Sequence, residues 1–426
     1  MWHRTKLIVS NKELMFRILF TVLMLLLFRI LIVVKIPMFD ASQLQLFLKS
    51  SDFLTLLNSF GGQALEKSSI VALGISPYIT ASIVVQLLQM VVPQLKEWRE
   101  QGEAGKQKTS KITRYVAVVL AFAQGLLLVY GAGGNGQNIV VVGEMNYTFI
   151  YIFMAIVLTA GSALTIWIAD LITKKGIGNG TSILIVAGIV TSLPNMGTSL
   201  WKQFITDGSG GWDIFKFIII VLIYLLTILL VTFMQISQRK IPVQYANRQG
   251  KSDSNIPLKL NSAGVMPVIF ASTIMSIPLT IVGLLSQSGT SGASYWLDQI
   301  FNNQKPIGLL VYIILIVIFS FFYSFLTVEP NKIAENLSKG NAYIPGVRPG
   351  EDTKNYVARL LFKITLIGTV YLVFVAVLPL VVNIAFGLGS SIAIGGTSLL
   401  IVVGVAIETT EQIETDANKS EYTGIF

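Results

Sequence analysis

The chain has 426 residues, of which 53% are apolar and only 12% are charged, and its net charge is +9. A soluble domain carries about twice that share of charge, so the composition excludes an ordinary soluble protein and favours one that crosses a membrane many times. The sequence contains no cysteine, which excludes disulfides, thiol catalysis and thiolate metal sites. The single histidine, His3, lies beside the first residue, which excludes imidazole chemistry inside the membrane.

Ten apolar segments are long enough to cross a bilayer as helices. In chain order they lie near residues 15–36, 74–93, 115–131, 147–170, 180–197, 214–234, 262–284, 306–328, 360–383 and 393–410. The first follows several basic residues, is too long for a cleaved signal peptide and has no small-residue cleavage site after it. We therefore interpret it as a first membrane span.

One further apolar stretch, within residues 53–72, does not fit a complete span. It is interrupted by Gly61 and Gly62 and by the charged residues Glu66 and Lys67. Its apolar pieces are too short to cross the hydrocarbon core, which favours a re-entrant helix.

Basic residues are distributed unevenly between successive loops. Lys and Arg number four, six, two, five and six in the alternate segments 1–17, 94–114, 171–179, 235–259 and 329–363. The intervening loops contain between none and three. With ten spans every basic loop falls on one side of the membrane, together with both termini. The positive-inside rule makes that side cytoplasmic.

Two short patterns each occur twice, in the same order. Residues 74–83 match 264–273 in the positions of Gly, Pro, Ile, Ala and Ser, and residues 180–188 match 396–404. They open the second and fifth spans of two five-span halves, and because five is odd the halves have opposite orientations. The predicted fold class is an all-α polytopic membrane protein with ten transmembrane helices in two inverted pseudo-symmetric halves plus a re-entrant helix.

This prediction divides the chain into five parts. They are a cytoplasmic N-terminus at 1–14, a first half at 15–197, an external linker at 198–213, a second half at 214–410 and a cytoplasmic tail at 411–426.

The repeats also pair individual isoleucines. Ile79 is equivalent to Ile269 and Ile185 to Ile401, while Ile75 lies one turn before Ile79 on the same helix face. Inverted halves bring equivalent residues to one depth, where branched aliphatic side chains form a constriction that closes a pore by dewetting. Ordinary packing is the alternative for any single isoleucine, and the double equivalence favours the constriction.

The loops at 235–259 and 329–359 are long for a compact transporter. Topology signalling accounts for most of their basic residues, but it does not explain their length or the Pro-Gly frame around Arg348. A stiff loop that presents an arginine is typical of a docking point. By charge alone, the partner fits ribosomal RNA.

Other functional classes were weighed against a channel. A secondary solute transporter shares inverted repeats and broken helices, but it usually needs a buried coupling carboxylate, and no Asp or Glu lies near the middle of a predicted span. A structural scaffold needs neither the Gly-Pro breaks nor the isoleucine set. No nucleotide-binding loop, metal cluster or nucleophile constellation is visible, so we predict neither enzyme activity nor a cofactor.

Over nearly its whole length the chain resembles the SecY family of bacterial protein-conducting channels. The resemblance rests on residues 72–79, 176–180, 258–267, 345–350 and 395–401, and it fits the housekeeping form better than the accessory form. It implies passive conduction of unfolded polypeptide across the plasma membrane and release of apolar segments sideways into lipid. It also implies a plug helix within 53–72, around Phe60, Gly61, Gly62 and Leu65.

The same resemblance implies roles for further residues. Its pore-ring positions fall on Ile75, Ile79, Thr181, Ile185, Ile269 and Ile401, where Thr181 departs from an aliphatic side chain. A lateral gate between spans two and seven would include Thr80, Gln86, Phe270, Thr273 and Ile277. Partner docking would use Arg239, Lys240, Arg248 and Arg348. The implied partners are SecE and SecG, the SecA ATPase or the ribosome, signal-bearing polypeptides and membrane lipid.

Overall fold

The computed structural model describes residues 11–36, 58, 61–134, 147–206, 211–245, 254–285, 292–302, 305–386 and 396–423. Thirteen helices are assigned in this part of the chain: α1 Lys12–Val33, α2 Ser76–Val91, α3 Pro93–Glu100, α4 Glu103–Gly134, α5 Tyr147–Lys175, α6 Gly180–Trp201, α7 Gly211–Ile236, α8 Met266–Leu285, α9 Gly292–Phe301, α10 Pro306–Thr327, α11 Pro330–Lys339, α12 Glu351–Phe386 and α13 Gly396–Thr423. A π-helical turn, Lys202–Thr206, follows α6.

The predicted spans correspond to helices. Each of the ten segments lies on a separate helix, namely α1, α2, α4, α5, α6, α7, α8, α10, α12 or α13. By length and hydropathy seven described helices can cross a membrane, or eight when α2 and α3 are counted as one bent span. The helical class is confirmed, while the count of ten spans and the symmetry of the halves stay predictions.

A sharp bend separates α2 from α3. The two helix axes differ by 99°, and Val92 between them has extended backbone angles. The residue before a proline is disfavoured in the helical region, and Pro93 is well suited to the first position of the next helix. The basic segment predicted as a loop at 94–114 is therefore mostly helical, and it runs away from the direction of α2.

The long basic loops form a small β-sheet, which corrects the all-α prediction. Strands β1 (Gln238–Tyr245), β2 (Ser254–Lys259) and β3 (Ala342–Tyr343) pair antiparallel in the order β2-β1-β3. Alternate residues Ile241 and Val243 are buried in a core that α11 and α12 complete. The strands form because this alternation, with a period of two, suits a half-buried sheet and not a helix. We call β1–β3, α11 and the start of α12 the sheet domain.

The re-entrant helix is not present in the described residues 61–75, here called the plug segment. This part is a series of turns, because Gly62, Gln63, Ser68 and Gly74 have φ between 51° and 69°, a region that interrupts a right-handed helix. The remainder of the predicted helix, including Phe60, lies outside the described residues apart from residue 58.

Backbone hydrogen bonds and close glycine contacts hold the plug segment in place. The backbone N–H of Ile70 donates to the carbonyl of Val34 at 2.9 Å, just beyond α1. A Cβ on Gly62 would lie 3.2 Å from the Cα of Gly188 in α6, and a Cβ on Gly161 in α5 would lie 2.0 Å from the carbonyl oxygen of Ile70. Glycine is therefore required where α5 and α6 approach this segment.

Candidate pore and lateral gate

The isoleucines predicted from the repeats come together in one apolar cluster. Ile75, Ile185 and Ile401 are buried in it, and Ile79 and Ile269 pack against it. Ile75 is the N-cap of α2, Ile79 lies one turn further on, and the other three belong to α6, α8 and α13. Four helices from the two predicted halves therefore meet at this cluster, which we call the isoleucine ring.

A cavity of about 370 Å³ lies on one side of the isoleucine ring. Ile79, Ile185, Ile269 and Ile401 all line it, so the ring forms its apolar end. Its remaining wall includes polar and charged residues, among them Asn179, Lys259, Asn261 and Glu408. Asn179 and Lys259 end two of the loops predicted to be cytoplasmic, and Asn261 and Glu408 lie close to the predicted cytoplasmic ends of spans.

The plug segment lies against the same ring. Ala64 and Val71 have no exposed surface and pack in one cluster with Ile75. Leu65, also predicted for the plug, is buried in a neighbouring cluster formed by α4 and α5. The isoleucine ring thus lines the cavity and also packs against the plug segment.

Thr181, the sixth predicted ring position, lines the cavity at the start of α6. Its hydroxyl donates to the Oδ1 of Asn179 at 2.7 Å, and its backbone N–H donates to the same oxygen at 3.1 Å. The asparagine therefore caps the helix and also binds the threonine hydroxyl. The hydroxyl of Thr181, the one polar side-chain group among the six predicted ring positions, therefore has a hydrogen-bond partner.

The lateral gate is predicted between spans two and seven, and in the structure α2 contacts α8 and α10 along a seam. Ile83, Phe270 and Phe319 are buried in one cluster across it. The hydroxyl of Tyr323 in α10 donates to the Oε1 of Gln86 in α2 at 2.8 Å, and its ring packs edge-on to Phe270 at a centroid distance of 4.6 Å. Aromatic packing and one hydrogen bond join the two sides of the seam.

The other predicted gate residues bond within their own helices. The hydroxyl of Thr80 donates to the carbonyl of Ser76 at 3.2 Å, and that of Thr273 donates to Ile269 at 2.8 Å. Ile277 lies on α8, but its side chain is outside the described residues. The sequence reasoning missed α10, whose run of aromatic residues from 319 to 323 was the available signal.

The predicted docking residues lie on the sheet domain. Arg239 and Lys240 are exposed on β1, and Arg348 is exposed in the turn before α12, whereas Arg248 falls outside the described residues. The carbonyl of Arg348 accepts a hydrogen bond of 2.8 Å from the hydroxyl of Thr353. None of the three forms an ion pair with a residue that the structure describes.

Three comparisons identify the family. The SecY family model matches residues 69–410. The chain belongs to the SecY family. It is 42% identical over 419 residues to protein translocase subunit SecY of Bacillus subtilis, covering 96% of both chains. It is also 41% identical over 426 residues to protein translocase subunit SecY 1 of Lactobacillus kefiranofaciens, covering 98% of both.

Solved channel structures share the fold. One is a structure of a SecY protein whose plug domain is described as stabilising the closed state of the translocation channel. Its TM-score is 0.67 at 19% identity. Another is a protein-conducting channel, with a TM-score of 0.63 at 18% identity. A third is Sec61 in the canine ribosome–channel complex, with a TM-score of 0.59 at 18% identity. Each alignment covers 93% of this chain and 91% of the other.

Family membership decides between the functional classes. SecY relatives are translocase subunits, so the expectation of a translocation channel without enzyme activity is confirmed, and a solute carrier or scaffold is set aside. With its candidate spans, the chain is a multi-pass membrane protein. Among the described residues no group of three or more acidic, His or Cys side chains is placed to hold a metal ion.

Proposed function

We propose that unfolded, signal-bearing polypeptide passes through the isoleucine ring and that its apolar segments leave for the lipid between α2 and the α8–α10 pair. The observation that carries this proposal is the meeting of five isoleucines from four helices between a cavity and the plug segment. When no polypeptide occupies it, the isoleucine ring excludes water and ions, and its side chains have no group that binds one particular side chain of the polypeptide. It therefore suits a passage for many different sequences.

The proposed topology follows from charge. Ten spans in two inverted halves place both termini and the basic loops in the cytoplasm of a cell whose plasma membrane holds the channel. The exposed Arg239, Lys240 and Arg348 of the sheet domain then face the cytoplasm. Lys259 of β2 lines the cavity, and we propose that polypeptide enters the ring from the sheet-domain face.

The proposed partners complete a passive channel. The relatives are named as subunits, which supports a complex with the small membrane proteins SecE and SecG. The proposed channel is passive, and a bound motor drives it, either the SecA ATPase or the translating ribosome. The likeness to Sec61 in a ribosome–channel complex and the exposed arginines of the sheet domain support docking at this face.

Reversing the charge of Arg348 tests the docking proposal. Arg348→Glu places like charge against an acidic partner surface, and such a contact costs several kcal/mol. We expect SecA-driven export into vesicles that also contain SecE to fall about tenfold or more. Protection of the exported precursor from added protease provides the measurement.

Lys339→Glu is the matched control, because it makes the same change of charge on α11 of the same domain. The amount of precursor exported by the Lys339→Glu variant should equal that exported by the unaltered channel. Equal export by Arg348→Glu and Lys339→Glu would remove Arg348 from docking. A failure of the unaltered channel to protect any precursor would instead contradict the channel proposal.

A further inference from the structure

One side chain at the end of α3 reaches across the seam between the two predicted halves. The Nη2 of Arg99 donates to the carbonyl oxygen of Leu326 at 2.9 Å, and the same nitrogen forms an ion pair with the carboxylate of Glu329. Leu326 lies in the last turn of α10, and Glu329 is the N-cap of α11. Arg99 thus joins the first half to the end of a gate helix.

The surroundings of this contact make it stronger than an ordinary surface pair. The side chains of Arg99 and Glu329 are only 26% and 29% exposed, so solvent and salt screen their attraction less than that of exposed charges. The carbonyl of Leu326 lies at a helix C-terminus, which carries partial negative charge and favours a cation. Arg99 therefore satisfies two acceptors of the opposite half at once.

The contact continues the seam that Gln86 and Tyr323 begin. Gln86 of α2 contacts α10, and Arg99 of α3 contacts the last turn of α10 and the N-cap of α11. The apolar cluster of Ile83 and Phe270 belongs to the same seam. Another described ion pair, between Arg17 and Asp416, joins the N-terminal part of the chain to the predicted tail and is longer at 3.9 Å. Separation of α2 from α10 must therefore break the Arg99 contact.

We propose that Arg99 and Glu329 form a latch that sets how apolar a signal segment must be to open the lateral gate. This inference rests on the proposed gate. A segment entering the seam shifts the gate towards its open state by the free energy that it gains there. The latch adds to the free energy needed to open the gate. Signal segments with few apolar residues then do not open it, whereas strongly apolar segments do.

The latch is tested with three precursors whose signal segments are leucine-rich, mixed leucine–alanine and alanine-rich. Arg99→Gln and Glu329→Gln should each raise export of the alanine-rich precursor about tenfold, the change expected when a charge-assisted hydrogen bond is lost. Export of the leucine-rich precursor should stay unchanged, which also shows that the variants fold and reach the membrane. The double variant should equal Arg99→Gln, because loss of Arg99 already removes its ion pair with Glu329.

Lys332→Gln is the matched control, because Lys332 binds the same carboxylate of Glu329 at 3.0 Å from within the second half. It should leave the export of all three precursors unchanged. Unaltered export of the alanine-rich precursor by Arg99→Gln would overturn the latch, and so would an equal rise in Lys332→Gln. If the unaltered channel exports none of the precursors, the proposed function fails and not the latch alone.

Discussion

Replacing Ile79, Ile185, Ile269 and Ile401 together with serine will turn a closed pore into one that conducts ions. All four side chains line the cavity and meet in the ring cluster, and serine is smaller and binds water. Each lost side chain removes roughly 1.5–3 kcal/mol of apolar burial. Since about 1.4 kcal/mol changes an equilibrium tenfold, we expect the conducting fraction to rise by more than tenfold.

Single-channel recording in planar bilayers measures this change. Four isoleucines on the outer faces of α5, α10 and α12 provide the control, because about half of each side chain is exposed: Ile156, Ile314, Ile318 and Ile367. Serine at these positions should leave the closed pore non-conducting. Traces from the ring variant that match those of the control would show that the isoleucines pack without sealing a pore.

Cross-linking the seam will stop export. The chain has no cysteine, so Gln86→Cys with Tyr323→Cys places two thiols alone at the point where α2 contacts α10. The native side chains meet at 2.8 Å, and a short bifunctional thiol reagent replaces the length lost on substitution to cysteine. If signal segments leave through this seam, the linked channel cannot open it, and export should fall to background.

The control places a cross-link inside one half. Arg114→Cys with Asp170→Cys joins α4 to α5, where the native pair lies 2.8 Å apart, and it should leave export as it was before the reagent was added. A cross-linking reagent that contains a disulfide extends the test. Reduction then cleaves the link across the seam and should restore export. Full export through a channel linked between Gln86→Cys and Tyr323→Cys would place the exit elsewhere.

The isoleucine ring was predictable from the sequence for a specific reason. The repeats made Ile79 equivalent to Ile269 and Ile185 to Ile401, and the symmetry of inverted halves relates residues that are distant in the chain. Hydropathy was sufficient to locate the ten apolar helices that carry the predicted spans, because lipid-facing and buried segments are both apolar. In the structure these four isoleucines share one cluster.

The sheet domain shows where the same method was insufficient. The basic residues Arg239 and Lys240 drew attention to charge, while the two-residue alternation of Ile241 and Val243 is short and was not read as a strand. The partner strands β2 and β3 come from two different loops. Strand pairing depends on this tertiary arrangement, which no local pattern specifies.

Contacts across the seam join residues that lie far apart in the chain. Gln86 and Tyr323 are separated by 237 residues, and Arg99 and Glu329 by 230. Neither α10 nor α3 carries one of the repeated patterns, so symmetry did not connect them to the gate. The turns of the plug segment were also not predictable from the sequence. Gln63 and Ser68 adopt positive φ, a conformation uncommon in residues other than glycine.

Photo-cross-linking of a halted precursor tests most directly whether polypeptide passes through the isoleucine ring. A photoreactive residue is placed at Ile269 or Ile401 in the ring and, for comparison, at Ile314 or Ile367 on the exposed helix faces. A precursor with a folded domain at its end stops partway across the membrane. Illumination should then join it to the ring positions and not to the exposed ones. Cross-linking at the exposed positions alone, with the precursor halted across the membrane, would contradict passage through the ring.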